Sequence, residues 1–367
     1  MSKNFYIGVS DIARRVHKIY IGVDGVARRV KRAYIGIGGI ARPCFNNLLE
    51  YYGVITPLSK GRRELTATTV GNYALFGGGK IGSDTAQKTV DAYDTSLTRT
   101  TPTSLSAGRY SLAATTVGNY ALFGGGEAGK NLYSKIVDAY DTSLTRTTPT
   151  PLSLSRSELA ATTVGSYALF GGGYGSVSYI TTVDAYDTSL TRTIPTPLSA
   201  GGGKLAATTV GSYALYGGGY LSGNGGSDTV DAYDTSLTRT TPTSLSKGRR
   251  ELTATTVGNY ALFGGGSGSS ITVDAYDTSL TRTTPISLSA GRYSLAATTV
   301  GNYALFGGGI GLSTTVDAYD TSLTRTIPTP LSVGKYRLAA TTVGSYALFG
   351  GGENNDGTLD VVDVYTN

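Results

Sequence analysis

The sequence predicts an all-β fold made of seven copies of one four-stranded sheet, arranged in a closed ring. A segment written ATTVGNYALFGGG at residues 67–79 returns six more times with few changes. The complete repeat around this segment contains four short β-forming stretches separated by turn residues, and its prolines are confined to the last stretch. The last repeat stops after three stretches, whereas residues 48–58 stand alone before the first repeat, where a fourth stretch belongs. This pattern indicates a seven-bladed β-propeller closed by its N-terminal strand.

The order of elements within one repeat follows from its turn residues. Residues 112–117 (LAATTV) are followed by Gly118-Asn119, a turn dipeptide, and then by YALF, which predicts a hairpin that ends in three glycines. IVDAYD at 136–141 predicts the third strand, and TRTTPTPL predicts a polar fourth strand. We expect residues 48–58 to complete the last blade, which removes the open sheet edge.

The repeats resemble those of the kelch family. The resemblance rests on a period of 43 to 47 residues, on the glycine-ended second strand and on VDAYD in the place of the family's third-strand tyrosine motif, and it covers about residues 47–367. It implies a β-propeller. The family's arginine before the first strand is matched by Arg62, Arg109, Arg156, Arg249 and Arg292, whereas Gly202 and Lys335 depart from it. The chain has no tryptophan, so we expect the packing between blades to differ from the family's in detail.

Variation among the repeats is confined to two connections. The lengths differ only between the second and third strands, and a second variable stretch joins each fourth strand to the next first strand. Because successive connections alternate between the two ends of a blade, both variable connections should lie on one face. Their Tyr, Ser, Gly and Asn content, beside Arg and Lys, is similar to that of antibody paratopes. The alternative is neutral drift of exposed loops, with recent duplication explaining the sameness elsewhere.

We therefore predict a ligand-binding surface on this face. Tyrosine would stack on sugar rings and arginine would donate hydrogen bonds. The residues predicted to bind ligand are Tyr133, Tyr174, Tyr179 and Tyr220 in the longer loops, with Arg109, Tyr110, Arg292, Tyr293 and Tyr336 beside them.

The residue inventory argues against an enzyme. The only histidine, His17, and the only cysteine, Cys44, both precede the propeller, so the usual metal ligands, general bases and thiol nucleophiles are missing from it. Asp91 and Asp94 form a pair that recurs in most blades, and we interpret the second as a turn residue paired with Arg99. ENNDGTLD at 353–360 is interpreted as a turn rather than a calcium loop. We predict no catalytic activity, cofactor or metal.

The basic character of the chain is concentrated at its start. Residues 1–46 hold nine Lys or Arg against two Asp, while residues 47–367 are close to neutral. A 14-residue repeat with turn signals at Asp24-Gly25 and Gly38-Gly39 predicts small β-hairpins, which need a partner because they bury little surface. We predict that residues 1–46 form an attachment or assembly domain and residues 47–367 the propeller. The predicted attachment residues are Arg14, Arg15, Arg28, Arg29, Lys31 and Arg32.

The hairpin repeats resemble short YIGV and GVAR repeats of prophage-encoded structural proteins of Gram-positive bacteria. The resemblance implies a fibre or receptor-binding protein of a phage or phage-like particle, anchored to other particle proteins and binding a host cell-surface glycan or protein. No apolar run suits a membrane span or a secretory signal, so we expect synthesis in the host cytoplasm and release by lysis. A decoration or cement protein without ligand, a nucleic-acid-contacting assembly protein and a homo-oligomer remain open alternatives.

Overall fold

A computed structural model describes residues 6–9, 12–15, 19–23, 26–30, 32–37, 40–46, 49–176, 178–220 and 225–367, with only the strands and their pairing described before residue 49. All secondary-structure elements assigned in these residues are β-strands. The chain divides into two compact units, residues 1–50 with Asn367 and residues 51–366. The all-β prediction is confirmed.

The larger unit contains seven four-stranded antiparallel sheets, which we call blades 1 to 7. In blades 1 to 6 the strands follow one another in chain order from the first to the fourth. Blade 1 comprises Thr66–Val70, Tyr73–Gly77, Val90–Asp94 and Arg99–Thr100; blade 2 comprises Ala113–Val117, Tyr120–Gly124, Val137–Asp141 and Arg146–Thr147; blade 3 comprises Ala160–Val164, Tyr167–Gly171, Val183–Tyr186 and Arg192–Thr193. Blade 4 comprises Ala206–Val210, Tyr213–Gly217, Val230–Tyr233 and Arg239–Thr240; blade 5 comprises Thr253–Val257, Tyr260–Gly264, Val273–Asp277 and Arg282–Thr283; blade 6 comprises Ala296–Val300, Tyr303–Gly307, Val316–Asp320 and Arg325–Thr326.

Blade 7 is completed by the strand that precedes all the others of the propeller. Its strands are Ala339–Val343, Tyr346–Gly350, Val362–Thr366 and, in fourth place, Glu50–Ile55. The Tyr51 hydroxyl donates a 2.7 Å hydrogen bond to Asp363, and its ring centroid lies 5.2 Å from that of Tyr365. The predicted closure of the ring is confirmed.

Neighbouring blades meet where the first glycine of each GGG faces an aromatic ring of the next blade. A Cβ atom on Gly77 would lie 2.6 Å from Cε1 of Phe123, which is too close for any side chain. The same contact joins every blade to the next, with Tyr216 as the ring that faces blade 3, and it closes with Gly350 against Phe76. Glycine is therefore required here by the spacing between blades.

Hydroxyl groups add two further links between blades. Near the axis, Thr115 Oγ1 lies 2.9 Å from Thr163 Oγ1, and equivalent pairs connect all seven first strands into a ring. Farther out, the Tyr140 ring packs edge-on against Phe123, and its hydroxyl donates to the Thr103 carbonyl beside the previous blade's fourth strand at 2.7 Å. These contacts supply the blade-to-blade packing in a chain without tryptophan.

A buried cation ties the fourth-to-first connection to the third strand in six of the seven blades. In blade 2, Arg109 Nη2 lies 2.5 Å from Asp138 Oδ2, and both side chains are fully buried. Lys335 takes the same place in blade 7, 2.8 Å from Asp363, whereas blade 4 has Gly202 there. Losing one partner of such a pair strongly destabilises a protein, because it leaves an uncompensated buried charge.

The aspartates of the VDAYD motif have separate structural roles. Asp94 accepts hydrogen bonds from the amides of Ser96 and Thr98 at 2.8 and 2.9 Å, which confirms the predicted turn. The predicted pairing of Arg99 with Asp94 is wrong. Arg99 Nη1 instead lies 3.3 Å from Asp91 Oδ1, because its side chain runs back along the third strand to the first aspartate.

The described residues of the smaller unit form three antiparallel strand pairs, as the 14-residue repeat predicts. The pairs are Tyr6–Val9 with Ile12–Arg15, Ile19–Val23 with Val26–Val30, and Arg32–Ile37 with Ile40–Asn46. The predicted turns at Asp24-Gly25 and Gly38-Gly39, together with His17 and Lys31, lie outside the described residues. The same holds for the side chains of Arg14, Arg15, Arg28, Arg29, Arg32 and Cys44.

The glycine contact between blades gives a direct test of the packing. Gly124→Ala should lower the free energy of unfolding by roughly 1–3 kcal/mol, because the new Cβ would lie 2.7 Å from Cε1 of Phe170. Gly129→Ala is the matched control, since no atom lies within 4 Å of its added Cβ. Chemical denaturation measures both variants, and equal stability of the two would contradict this account of the glycine.

Candidate ligand-binding face

The two variable connections meet in every blade. In blade 2, the amide and carbonyl of Tyr110 exchange hydrogen bonds of 3.0 and 2.8 Å with those of Glu127, which opens the second-to-third connection. The same reciprocal pair occurs in blades 1, 3 and 7, and blades 4, 5 and 6 keep the hydrogen bond donated by the amide of the second-to-third connection. We call the surface formed by residues 59–64, 80–89, 106–111, 127–136, 153–158, 174–176, 178–182, 199–204, 220, 225–229, 246–251, 267–272, 289–294, 310–315, 332–337 and 353–361 the variable face. Both variable connections lie on one side of the propeller, as their alternation predicts.

Four of the predicted ligand-binding residues form one continuous row on this face. Ring centroids are 5.8 Å apart between Tyr133 and Tyr174, 5.1 Å between Tyr174 and Tyr179, and 5.2 Å between Tyr179 and Tyr220. The guanidinium of Arg250 lies 4.4 Å from the Tyr220 ring centroid and continues the row into the connection before blade 5. We call these four tyrosines the tyrosine row; all are partly exposed.

Local backbone pairing holds the row in place. Tyr133 forms a bridge with Glu127, and Tyr174 forms one with Tyr179 across the loop of blade 3. Burial raises the pKa of Tyr133 and of Tyr179, so both phenols stay protonated at neutral pH. The rings therefore combine an apolar face with a neutral hydroxyl group.

Seven residues around the propeller axis share an unusual backbone conformation. The last residue of each fourth-to-first connection has a positive φ between 51° and 56°, although none of these seven residues is glycine. The amide of each donates to the carbonyl of its counterpart in the preceding blade at 2.8 to 3.1 Å, which closes a ring of seven hydrogen bonds. We call these residues the central ring: Glu64, Ser111, Glu158, Lys204, Glu251, Ser294 and Arg337.

The central ring lines a cavity of about 530 Å³ together with seven leucines, each of which directly follows a central-ring residue in the sequence. Lys204 Nζ lies 2.7 Å from Glu251 and 3.7 Å from Glu158, so it lies between two carboxylates. Burial raises the pKa of Glu158, with Lys204 opposing this rise and Glu127 adding to it. Burial acts in the same direction on Glu251, but the hydrogen bond and charge of Lys204 outweigh it and lower the pKa of that carboxyl.

Sequence reasoning missed the central ring. Within any one repeat, the central-ring residue cannot be told apart from other polar residues at the end of a loop. The available signal was that this one position reads Glu, Ser, Glu, Lys, Glu, Ser and Arg in repeats that are otherwise nearly identical.

Three of the residues predicted to contact ligand are buried. Arg109 and Arg292 are 0% and 1% exposed, because each guanidinium is used in a buried ion pair with the third-strand aspartate of its blade. Tyr110 is 4% exposed, with Lys80 Nζ 4.3 Å above its ring and its hydroxyl donating to Glu127 at 2.6 Å. It is thus part of the cavity wall and offers no open ring for stacking.

Tyr293 and Tyr336 lie on the variable face and are partly exposed, but outside the tyrosine row. The Arg337 guanidinium lies 5.7 Å from the Tyr336 ring centroid. Their part in ligand binding stays a prediction, as does the part of the six basic residues at the start of the chain in attachment or assembly.

The candidate calcium loop is a tight hairpin. Glu353–Asn354 pairs with Gly357–Thr358, and the Asn354 side chain accepts the Asp356 amide at 2.9 Å, as expected for a turn. Within the described ranges, no group of three or more His, Cys, Asp or Glu side chains is placed to hold a metal ion. No helix in those ranges has the length and apolar character of a membrane span.

Comparisons with known proteins support the fold alone. No model of a protein family matches the chain, and no curated protein matches its sequence. Among solved structures, 751 chains match. One of them, described as "Structure of YjhT", has a TM-score of 0.56 and 12% identity, over 85% of this chain and 97% of that chain. At this identity the similarity shows a shared propeller architecture, and function must be argued from the site.

The opposite pKa shifts in the central ring predict opposite effects of two similar substitutions. Glu158→Gln should raise the free energy of unfolding at pH 7 by less than about 1 kcal/mol, because it removes a carboxylate that folding disfavours. This gain should shrink as the pH falls through the raised pKa and vanish below the ordinary glutamate pKa, where both states are protonated.

Glu251→Gln is the matched comparison and should lower stability at pH 7, since the folded state favours that carboxylate. The loss should disappear as the pH falls through the lowered pKa. Denaturation midpoints measured from about pH 3 to about pH 7, the range in which carboxyl groups titrate, test both variants. Changes of the same sign at pH 7 would contradict these electrostatics.

Proposed function

We propose that the protein is a non-enzymatic recognition module whose tyrosine row binds a carbohydrate. The observation that carries the proposal is that four partly exposed tyrosines from three successive blades lie in one continuous row. An aromatic face packs against the apolar face of a sugar ring, and a neutral phenol can both donate and accept hydrogen bonds with sugar hydroxyls.

Acceptor groups for sugar hydroxyls lie beside the row. A Cβ on Gly203 would lie 3.0 Å from Glu158 Oε2 and 3.6 Å from the Tyr179 ring, so this carboxylate and this ring face the same short stretch of backbone. At the other end of the row Glu127 forms a backbone bridge with Tyr133, and its carboxylate accepts hydrogen bonds from the Tyr110 and Ser157 hydroxyls. Carboxylates next to aromatic rings offer a sugar a stacking surface and strong hydrogen-bond acceptors together.

The rigidity of the support also favours binding. The loops that carry the row are tied to neighbouring connections by backbone hydrogen bonds, among them Tyr174 N to Ser157 O at 2.8 Å and Tyr220 N to Gly203 O at 2.7 Å. Groups held in place before binding lose less conformational entropy when the ligand arrives.

We further propose that the ligand belongs to a host cell surface and that the protein is part of a phage or phage-like particle, attached through residues 1–46. The support is the basic hairpin repeat and its resemblance to prophage structural proteins. We assign the blades to the kelch type on their glycine-ended second strands and third-strand tyrosines. A decoration protein without host ligand is the competing proposal.

The double variant Tyr174→Ala/Tyr179→Ala of the full-length protein tests the carbohydrate proposal. It should weaken binding to intact Gram-positive cells and to a glycan array by roughly tenfold or more, because two adjacent stacking contacts are removed from the middle of the row. Its melting temperature should stay close to that of the natural protein, since both rings are partly exposed.

Tyr293→Ala is the same-face control, because Tyr293 lies outside the row. Equal loss in the control and the double variant would assign binding to the face as a whole rather than to the row. Unchanged binding by the double variant would refute the row as the site, and no binding by the natural protein would favour the decoration proposal.

A further inference from the structure

The buried cations of six blades define a repeated binding arrangement. In blade 2, Arg109 Nη1 donates to the carbonyls of Gly125 and Ile136 at 2.7 and 2.8 Å, while Nη2 pairs with Asp138. Arg249 makes the same contacts in blade 5, at 2.8 Å to Gly265 and 2.8 Å to Thr272. One carboxylate and two carbonyls thus surround the guanidinium group in these two blades, which suits its fork of N–H donors.

Blade 4 keeps the same backbone without the cation. The Gly218 amide donates to the Thr229 carbonyl at 3.1 Å, as the Gly125 amide does to Ile136 in blade 2. Asp231 pairs across the sheet with Tyr216, as Asp138 does with Phe123. The register therefore places the Gly218 and Thr229 carbonyls and the Asp231 carboxylate as in blade 2, while Gly202 supplies no side chain between them.

The contacts of blade 4 do not compensate for the missing cation. The Tyr216 hydroxyl points away and donates to the Leu169 carbonyl of blade 3 at 2.9 Å. Asp231 accepts hydrogen bonds from the Ser199 amide and hydroxyl at 3.0 Å and lies 3.4 Å from Arg239. Among the residues that the structure describes, no fully buried cation pairs with it. Burial raises the pKa of Asp231, and these partners offset the rise only in part.

This place is more exposed in blade 4 than in the other blades. Asp231 is 3% exposed, whereas its counterparts in the other six blades are 0% exposed. Gly218 is partly exposed, whereas the second glycine of GGG is buried in each of the other six blades. Small groups in solution can therefore reach the backbone that the arginine covers elsewhere.

We infer that blade 4 binds a guanidinium group supplied from outside the chain, with Asp231 as its ion-pair partner and the carbonyls of Gly218 and Thr229 as its hydrogen-bond acceptors. Arginine fills the equivalent place in five blades and lysine in one, so the site favours a planar guanidinium over an ammonium group. The ligand is thus a guanidino compound or the arginine of a partner protein. The inference is independent of the carbohydrate proposal, because its probe is a small cation.

Methylguanidinium is the direct probe, added to the full-length protein at constant ionic strength with tetramethylammonium chloride as the salt control. Saturable binding is expected by calorimetry, with a rise in melting temperature of about 2 °C at tenfold excess over Kd. N-acetyl-argininamide tests whether a peptide arginine enters as well: its binding identifies a partner's arginine as an accessible ligand, and its exclusion restricts the site to free guanidino compounds.

Gly202→Arg is the matched control, because an added Cβ meets nothing closer than the Tyr220 carbonyl at 3.4 Å and the backbone fits a side chain. It should melt at a higher temperature than the natural protein and no longer bind methylguanidinium. Gly202→Lys gives the same test if the arginine variant does not fold. Equal binding by the natural and substituted proteins, no saturable binding by the natural protein, or equally tight binding of N-acetyl-lysinamide would overturn the inference.

Discussion

The propeller depends on the contact between a glycine of one blade and an aromatic ring of the next. Because Gly77 faces Phe123 and the series closes with Gly350 against Phe76, every second strand must provide both halves of the same contact. A larger residue at the glycine position would push two blades apart, and in a closed ring the displacement would be transmitted to the others. This double requirement explains why the sequence of the second strand is nearly the same in all seven repeats.

The central ring shows how such a uniform scaffold carries a varied surface. A hydrogen bond between backbone amide and carbonyl joins each of its seven residues to the next, so the ring closes whatever the side chains are. Side-chain pairs such as Lys204 with Glu251 add to this backbone ring. A positive φ is costly for residues other than glycine, and it persists here because the surrounding blades determine the backbone. Glu158, Lys204 and Arg337 can therefore occupy equivalent positions with different charges. The backbone sets the geometry of the central ring, and the side chains set the chemistry of the variable face.

The sequence was sufficient for the blade number, the strand order and the ring closure, because these follow from turn residues and from the offset between the two ends of the repeats. It also identified Tyr133 and Tyr179 as loop residues, but their common row depends on loop conformations that no repeat pattern specifies. Arg109 and Arg292 were predicted to bind ligand because arginine beside a variable loop suggests ligand contact, but both are buried in ion pairs. Their recurrence at one position in five repeats pointed to the scaffold, and the buried aspartate that each one pairs with became visible only in three dimensions.

The central claim is that recognition resides in the variable connections and stability in the repeated strands. Its most direct test replaces the second-to-third connections of blades 2, 3 and 4 by the short connection of blade 5, SGSSIT at residues 267–272, in the full-length protein. The account predicts a folded propeller whose melting temperature is close to that of the natural protein and whose binding to cells and glycans is lost. Retained binding, or a chain that no longer folds, would contradict the separation of scaffold from recognition surface.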